Sequence, residues 1–326
     1  MAVEEIGRYI ISARRSGLDR PRELGSINRL LEILPSEARI AATNLNETDK
    51  LSIEEIRLSA GKYISVGIDG KEYVLSQNGS LSESSVLGIR VSGEDLADTV
   101  AKASNGAVYS AQESVREGYI TVFGGHRIGL CGHTVTEQGR ITAITNFSSL
   151  CIRIAKSVTG CTERIASELI DNRPLNTLVI SPPSVGKTTL LRDLVRELSV
   201  RGNRVSVADE RGEVSGSCGG VPQFDLGPST DVLEGAEKSV AVYMLLRTMT
   251  PKVIAIDEIT VEKDAMAVIK SRNCGVSVIA TAHGDSLSDL EQRPIYSRLL
   301  REGVFERFVV LERHGSERYA RIFRLI

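Results

Sequence analysis

The run Ser181-Pro182-Pro183-Ser184-Val185-Gly186-Lys187-Thr188-Thr189 constrains this chain more than any other stretch. It departs at one position from the phosphate-binding loop pattern G-x-x-x-x-G-K-[ST], with Ser181 standing where the first glycine is usual. An apolar run, Leu178-Val179-Ile180, precedes it, and a leucine-rich segment from Leu190 to Leu198 follows. Strand, loop and helix in that order bring backbone N–H groups and a helix N-terminus to bear on a polyanion. The nine residues Ser181 to Thr189 are therefore expected to cradle a nucleoside triphosphate, ATP. Lys187 is expected to reach its β- and γ-phosphates, and the Thr188 hydroxyl to ligate Mg²⁺. Ser184 sits where such loops often carry another glycine, so its backbone must accept a tight turn.

Some seventy residues beyond Lys187 comes Val253-Ile254-Ala255-Ile256-Asp257-Glu258. An apolar strand that ends in two acids presents them at its carboxyl edge, where open α/β sheets bind ligands. Asp257 is the expected Mg²⁺ partner, and Glu258 the group that orients or deprotonates the attacking water. Val207-Ala208-Asp209-Glu210-Arg211 ends a second strand in acids, and Ile279-Ala280-Thr281-Ala282-His283-Gly284 ends another in Thr281 and His283. Glu210 could aid or replace Glu258, or be spent in an ion pair with Arg211. Thr281 and His283 could sense the γ-phosphate by hydrogen bonds. The stretch Gly212 to Gly220 lacks a lysine and a helix start, and is expected to be a mobile loop.

The chain has 326 residues, which suggests two domains. Its formal net charge is -2 and only 4% of residues are aromatic, without tryptophan. It thus lacks the basic field and the stacking platforms of a typical nucleic-acid binder, and no nucleic-acid partner is expected. No apolar run reaches the length of a membrane span, and the N-terminus has no secretory signal. Five cysteines without a C-x-x-C pair fit a reduced, cytosolic compartment. His126, Cys131 and His133 lie close in sequence but lack a fourth ligand at useful spacing, so they read as hairpin residues rather than a zinc site.

Residues 1–148 read as a smaller mixed α+β domain, and residues 149–326 as the nucleotide domain. Helical periodicity covers Ile6 to Ala13 and Ile27 to Leu34. Strands are expected at Ile53–Leu58, Tyr63–Ile68 and Lys71–Leu75, with Asp69-Gly70 as a hairpin turn. A helix should start near Ser92 and run to about Ala103. Tyr119–Phe123 and Arg127–Leu130 suggest a hairpin around Gly124-Gly125, and Val135 and Ile141 flank another turn. Thr145-Asn146-Phe147-Ser148-Ser149 reads as the connector. Beyond it, apolar strands at Leu178–Ile180, Val205–Ala208, Val253–Ile256 and Val276–Ala280 alternate with helices, the pattern of a mainly parallel sheet. The last two strands, around His314-Gly315-Ser316, should form an antiparallel hairpin.

The motifs SPPSVGKTT, VADERGEV, LLRTMTPKVIAIDEI and TAHG stand in the order found in secretion and type IV pilus ATPases, which the chain resembles. A fuller resemblance is to the stage III sporulation protein AA family. It takes in IEEIRLSAGKYISV, SAQESVREGYITVFGGHRIGLCG, GVPQFDLG and TDVLEG and spans nearly the whole chain. The resemblance implies a RecA-like P-loop ATPase domain with a mainly parallel sheet behind a smaller α+β N-terminal domain. It implies a cytosolic ATPase, peripheral at the membrane on the mother-cell side of the forespore. There it would serve the transenvelope channel of endospore formation as a homohexamer, with membrane proteins of that channel as partners. An arginine from a neighbouring subunit is a reasonable addition, with Arg57, Arg116, Arg127 and Arg153 as candidates. Relatives usually carry glycine at the position of Ser184, many have arginine near Ser229, and many show glycine and a basic residue where this chain has Thr260-Val261. Two rival readings remain: a scaffold that binds ATP to assemble, and a nucleic-acid-dependent motor.

Overall fold

Ile56 and Leu58 flank Arg57 at the two-residue spacing of a strand with one buried face, and a register shift between Ile53 and Glu55 lets Ile53 join them in the core. The computed structural model describes residues 3–11, 19–84, 87–104, 118–315 and 317–326. The chain divides into two compact units, Ser16–Ser157 with Gly216–Phe224, and Met1–Arg15 with Val158–Ser215 and Asp225–Ile326.

The strands, in chain order, begin with β1 (Val3–Ile10), which belongs to the second unit. The N-terminal unit then contributes β2 (Ile53–Ser59), β3 (Ser65–Ile68), β4 (Lys71–Leu75), β5 (Leu81–Ser82), β6 (Tyr119–Val122), β7 (His126–Glu137) and β8 (Arg140–Arg153). They form one antiparallel sheet in the order β5-β4-β3-β2-β8-β7-β6. Ile56, Leu58, Ile128, Leu150 and Ile152 make a single core with Ile27 and Leu31 of helix Asp19–Leu31 and Leu96 of helix Gly93–Ser104. Ser92 caps that second helix: its hydroxyl accepts from Asp95 N–H, and Asp95 accepts in return from Ser92 N–H at 2.8 Å.

The second unit holds a short ribbon of β9 (Ile170–Asp171) and β10 (Arg173–Pro174). Its main strands are β11 (Thr177–Ser181), β12 (Val205–Asp209), β13 (Thr230–Glu234), β14 (Val253–Ile256), β15 (Ser277–His283), β16 (Arg307–His314) and β17 (Glu317–Leu325). The eight-stranded sheet runs β1-β17-β16-β11-β15-β14-β12-β13. It is parallel from β16 to β13, and β17 and β1 add antiparallel at one edge. Every residue of β11, β12 and β14 is buried, because helices cover both faces. The order reverses at β11, with β12 to one side and β16 to the other, so the carboxyl ends of β11, β15, β14 and β12 border one crevice.

Three expectations fail. Ile6 to Ala13 is not a helix over its described part: Val3–Ile10 is an edge strand on β17. A register shift between Glu5 and Gly7 disguises its two-residue period, and the apolar side chains fall at spacings that mimic a helix. The run Thr145–Ser149 is no connector but lies within the 14-residue strand β8, where Thr145 and Ser149 pair with His133 and Cys131 of β7 on either side of a register shift. The division accordingly falls at Ser157/Val158, not at 148/149, and strand β1 lies with the second unit.

Candidate nucleotide site

The phosphate loop begins where β11 ends. Gly186, at φ +115°, turns the chain into helix Lys187–Val200, whose inner face buries Leu190, Leu191, Leu194 and Leu198. Ser184 adopts φ +62°, a left-handed conformation that costs a non-glycine residue of order 1 kcal/mol. The serine that replaces the customary glycine thus takes the backbone the glycine would take.

The Lys187 ammonium is buried and has no hydrogen-bond partner. A carboxylate oxygen of Glu258 lies 3.6 Å away, close enough for ion pairing. A lysine held dry at a helix start with its hydrogens unspent is a seat for an anion. Next to it, Thr188 donates to one carboxylate oxygen of Asp257 at 2.9 Å, and Thr281 donates to the other at 2.8 Å. Burial pushes the Asp257 carboxyl above its usual range, against the pull of the Thr281 hydrogen bond and of Lys187. A hydroxyl and a buried carboxylate side by side, both oxygen donors, suit Mg²⁺.

Glu258 follows at φ +63°. Its N–H donates to Thr281 Oγ1 at 2.8 Å, and His283 Nε2 lies 3.4 Å from its Oε1. Thr281 therefore joins β14 to β15 and fixes where both acids stand. The other ring nitrogen of His283, Nδ1, is buried without a partner. Lys187, Thr188, Asp257, Glu258, Thr281 and His283 are thus brought together. Ser181 is fully buried, its hydroxyl spent on the Pro182 carbonyl.

The acidic run after β12 behaves differently. Asp209 is buried and accepts from the N–H groups of Glu213 and Ser215 at 2.9 and 2.8 Å, and from the Ser215 hydroxyl. Arg192 of the phosphate-loop helix donates to the carbonyls of Glu213 and Val214, each at 2.8 Å. The segment expected to be a mobile loop is therefore tied at its start from two sides, and Cys218 and Val221 pair further on. Glu210 pairs with Lys238 at 2.9 Å, where sequence had suggested Arg211. It lines the same recess as Asp257, Glu258 and Thr260. Sequence reading missed Lys238, Arg192 and the structural use of Asp209; a lone lysine or arginine on a helix carries no local signal.

Of the candidate arginines, Arg57, Arg127 and Arg153 share the sheet face of the N-terminal unit opposite its helices. Arg57 lies 2.6 Å from Glu55, and Arg127 stacks on Tyr119. Arg116 lies outside the described residues. His126 is buried, its Nε2 2.9 Å from the Ser26 hydroxyl and its Nδ1 accepting from Ala155 N–H at 3.0 Å. Burial lowers its pKa to about 4.

A crevice bounded by a loop of phosphate-loop sequence, an acid-ended strand and a strand ending in threonine and histidine, at the carboxyl edge of a mainly parallel sheet, is the layout of a RecA-like P-loop fold. Solved structures agree on the fold. The ATPase DotB of Legionella pneumophila matches with a TM-score of 0.52 at 15% identity, covering 89% of this chain and 76% of that one. The pilus retraction motor PilT with bound ADP matches with a TM-score of 0.55 at 14% identity, covering 83% and 78%. The family described as "Sporulation stage III, protein AA" matches residues 26–322, and the chain belongs to it. Stage III sporulation protein AA of Bacillus subtilis (strain 168) is 36% identical over 293 residues, which are 88% of this chain and 91% of that protein.

Proposed function

We propose that the protein is an ATP-hydrolysing motor that energises assembly or transport by the channel between mother cell and forespore during endospore formation. The observation that carries this reading is the buried Lys187 ammonium, ion-paired with Glu258 but without a hydrogen-bond partner, beside the Thr188–Asp257–Thr281 hydrogen-bond chain. Lys187 and the amides of Ser181 to Thr189 hold the triphosphate. Thr188 and Asp257 hold Mg²⁺, which when bound neutralises charge on the phosphate oxygens. Glu258 orients a water on the γ-phosphorus and takes its proton as the bond to the departing ADP oxygen breaks. His283 steadies the Glu258 carboxylate, and Glu210, carried by Lys238, stands by in the same recess.

The family membership supports a role in sporulation, and the fold shared with DotB and PilT supports a motor. No described helix is long and apolar enough to cross a membrane, so attachment through membrane partners is the arrangement proposed. The working form is a homohexamer, peripheral at the cytoplasmic face on the mother-cell side, with an arginine of the N-terminal unit supplied across the ring. Phosphate release by the purified protein and by Glu258→Gln, with mass measured with and without ATP, tests this. Release that Glu258→Gln abolishes while ATP binding persists supports the motor. ATP-dependent assembly without release above background makes the protein a scaffold. Stimulation by single-stranded nucleic acid that falls steeply with salt makes it a nucleic-acid motor.

A further inference from the structure

The hairpin of β16 and β17 ends directly beyond the strand that delivers the phosphate loop. β16 runs parallel to β11, with Val310 beside Ile180 as their last paired residues, and it continues through Glu312, Arg313 and His314. β16 therefore continues four residues past its last pair with β11, the strand from which Pro182 to Gly186 follow.

The two faces of this hairpin differ. Val309 and Leu311 of β16 and Ala320 and Ile322 of β17 share one core with Leu190, Leu191 and Leu194 of the phosphate-loop helix. Continuing the two-residue alternation outward from that face leads to Arg313 and Arg318, which are directly opposite each other in the register. Two like charges across a pair of strands destabilise a hairpin. The arrangement becomes favourable once an anion lies against it.

The other arginines on these edge strands are engaged. Arg8 and Arg321 meet Glu312, Arg321 also meets Glu5, and Arg324 meets Glu4. Arg307 donates to the Glu168 and Glu306 carbonyls, and Arg313 to the Gly315 carbonyl. Among the described residues, the Arg318 guanidinium has no such partner. One of its terminal nitrogens stands 3.9 Å from the position that a Cβ on Gly186 would occupy, and among the described residues it is the nearest atom outside Gly186 and its two chain neighbours. Gly186 is the last residue of the loop before Lys187.

We infer that Arg318 is a nucleotide-contacting residue, whose guanidinium takes a phosphate oxygen of the ATP bound by its own subunit. The inference rests on the nucleotide-binding reading above. It supplies a cation from within the chain, independent of any arginine from a neighbouring subunit. An arginine fits the task because its planar fork can hold two oxygens of a polyphosphate without the proton loss open to a lysine. It also gives the C-terminal hairpin a part in sensing whether the loop is filled.

Calorimetric titration of the full chain with MgATP and, separately, with inorganic tripolyphosphate tests it, on the wild type, Arg318→Ala, Arg318→Lys and Lys187→Ala. Arg318→Ala should weaken both ligands by the same factor, roughly ten- to hundredfold for the loss of a charge-assisted hydrogen bond. Arg318→Lys should fall between it and the wild type. The ligand-free melting temperature of Arg318→Ala should be unchanged or raised, since a cross-strand repulsion has gone. MgATP affinity within twofold of wild type in Arg318→Ala would overturn the inference and leave the nucleotide site standing. A loss confined to MgATP, with tripolyphosphate unaffected, would move the contact to base or ribose and overturn it as stated. A ligand-free melting temperature that drops together with affinity would make Arg318 structural. A wild type that binds neither ligand would instead refute the nucleotide-binding reading, and this contact with it.

Discussion

At the scale of single residues, two strained backbones stand in one site, Ser184 at φ +62° and Glu258 at φ +63°. Strain of this kind persists where surrounding contacts over-determine it. For Glu258 the hydrogen bond from its N–H to Thr281 does so. Away from the site, burial makes His126 a source of acid sensitivity. Its pKa is lowered to about 4 by burial, whereas an unfolded imidazole takes its proton near 6.5. The unfolded chain therefore binds the proton first. The contribution of His126 is complete above about pH 6.5 and disappears as pH falls toward about 4, a loss on the order of 3 kcal/mol. Urea unfolding of the wild type and His126→Gln across that window checks this: the two stability curves should converge at the acid end. Parallel curves would show that His126 is not the group responsible.

At the scale of elements, the loop after β12 is held by the buried Asp209 carboxylate together with Arg192. Asp209→Ala would leave the amides of Glu213 and Ser215 without their acceptor, and should cost about 3 kcal/mol. A lower urea midpoint with unchanged slope is the expected reading; an unmoved midpoint would mean that Arg192 alone secures the loop. Strands were most legible where burial is total. The runs ending at Ile180 and Ile256 are continuous and apolar, and each lies within a buried parallel strand. They were least legible at edges and on wet faces. The bulge in β1 broke its alternation, and the polar run 145–149 of β8 looks like a linker because its strand partner is invisible in local sequence.

For the whole molecule, the reading that a neighbouring arginine completes the site predicts that ATPase activity per subunit rises with protein concentration as rings form. Specific activity measured alongside light scattering checks this, and a flat profile across the assembly range would remove the trans arginine. The sequence by itself determined the strand, loop and helix around Lys187, the acid-ended strand and the strand of Thr281 and His283. Each is a contiguous motif whose chemistry needs those residue types at that spacing. Only the tertiary structure decided that β1 closes the sheet of the second unit, that Asp209 is spent on its own loop, that Lys238 holds Glu210 and that Arg318 stands beside Gly186. Those pairings join residues from about 30 to more than 300 positions apart, or reverse a local reading through burial. Short-range periodicity carries no term for contacts between distant segments, and those contacts are made only when the sheet edge and the helices close around them.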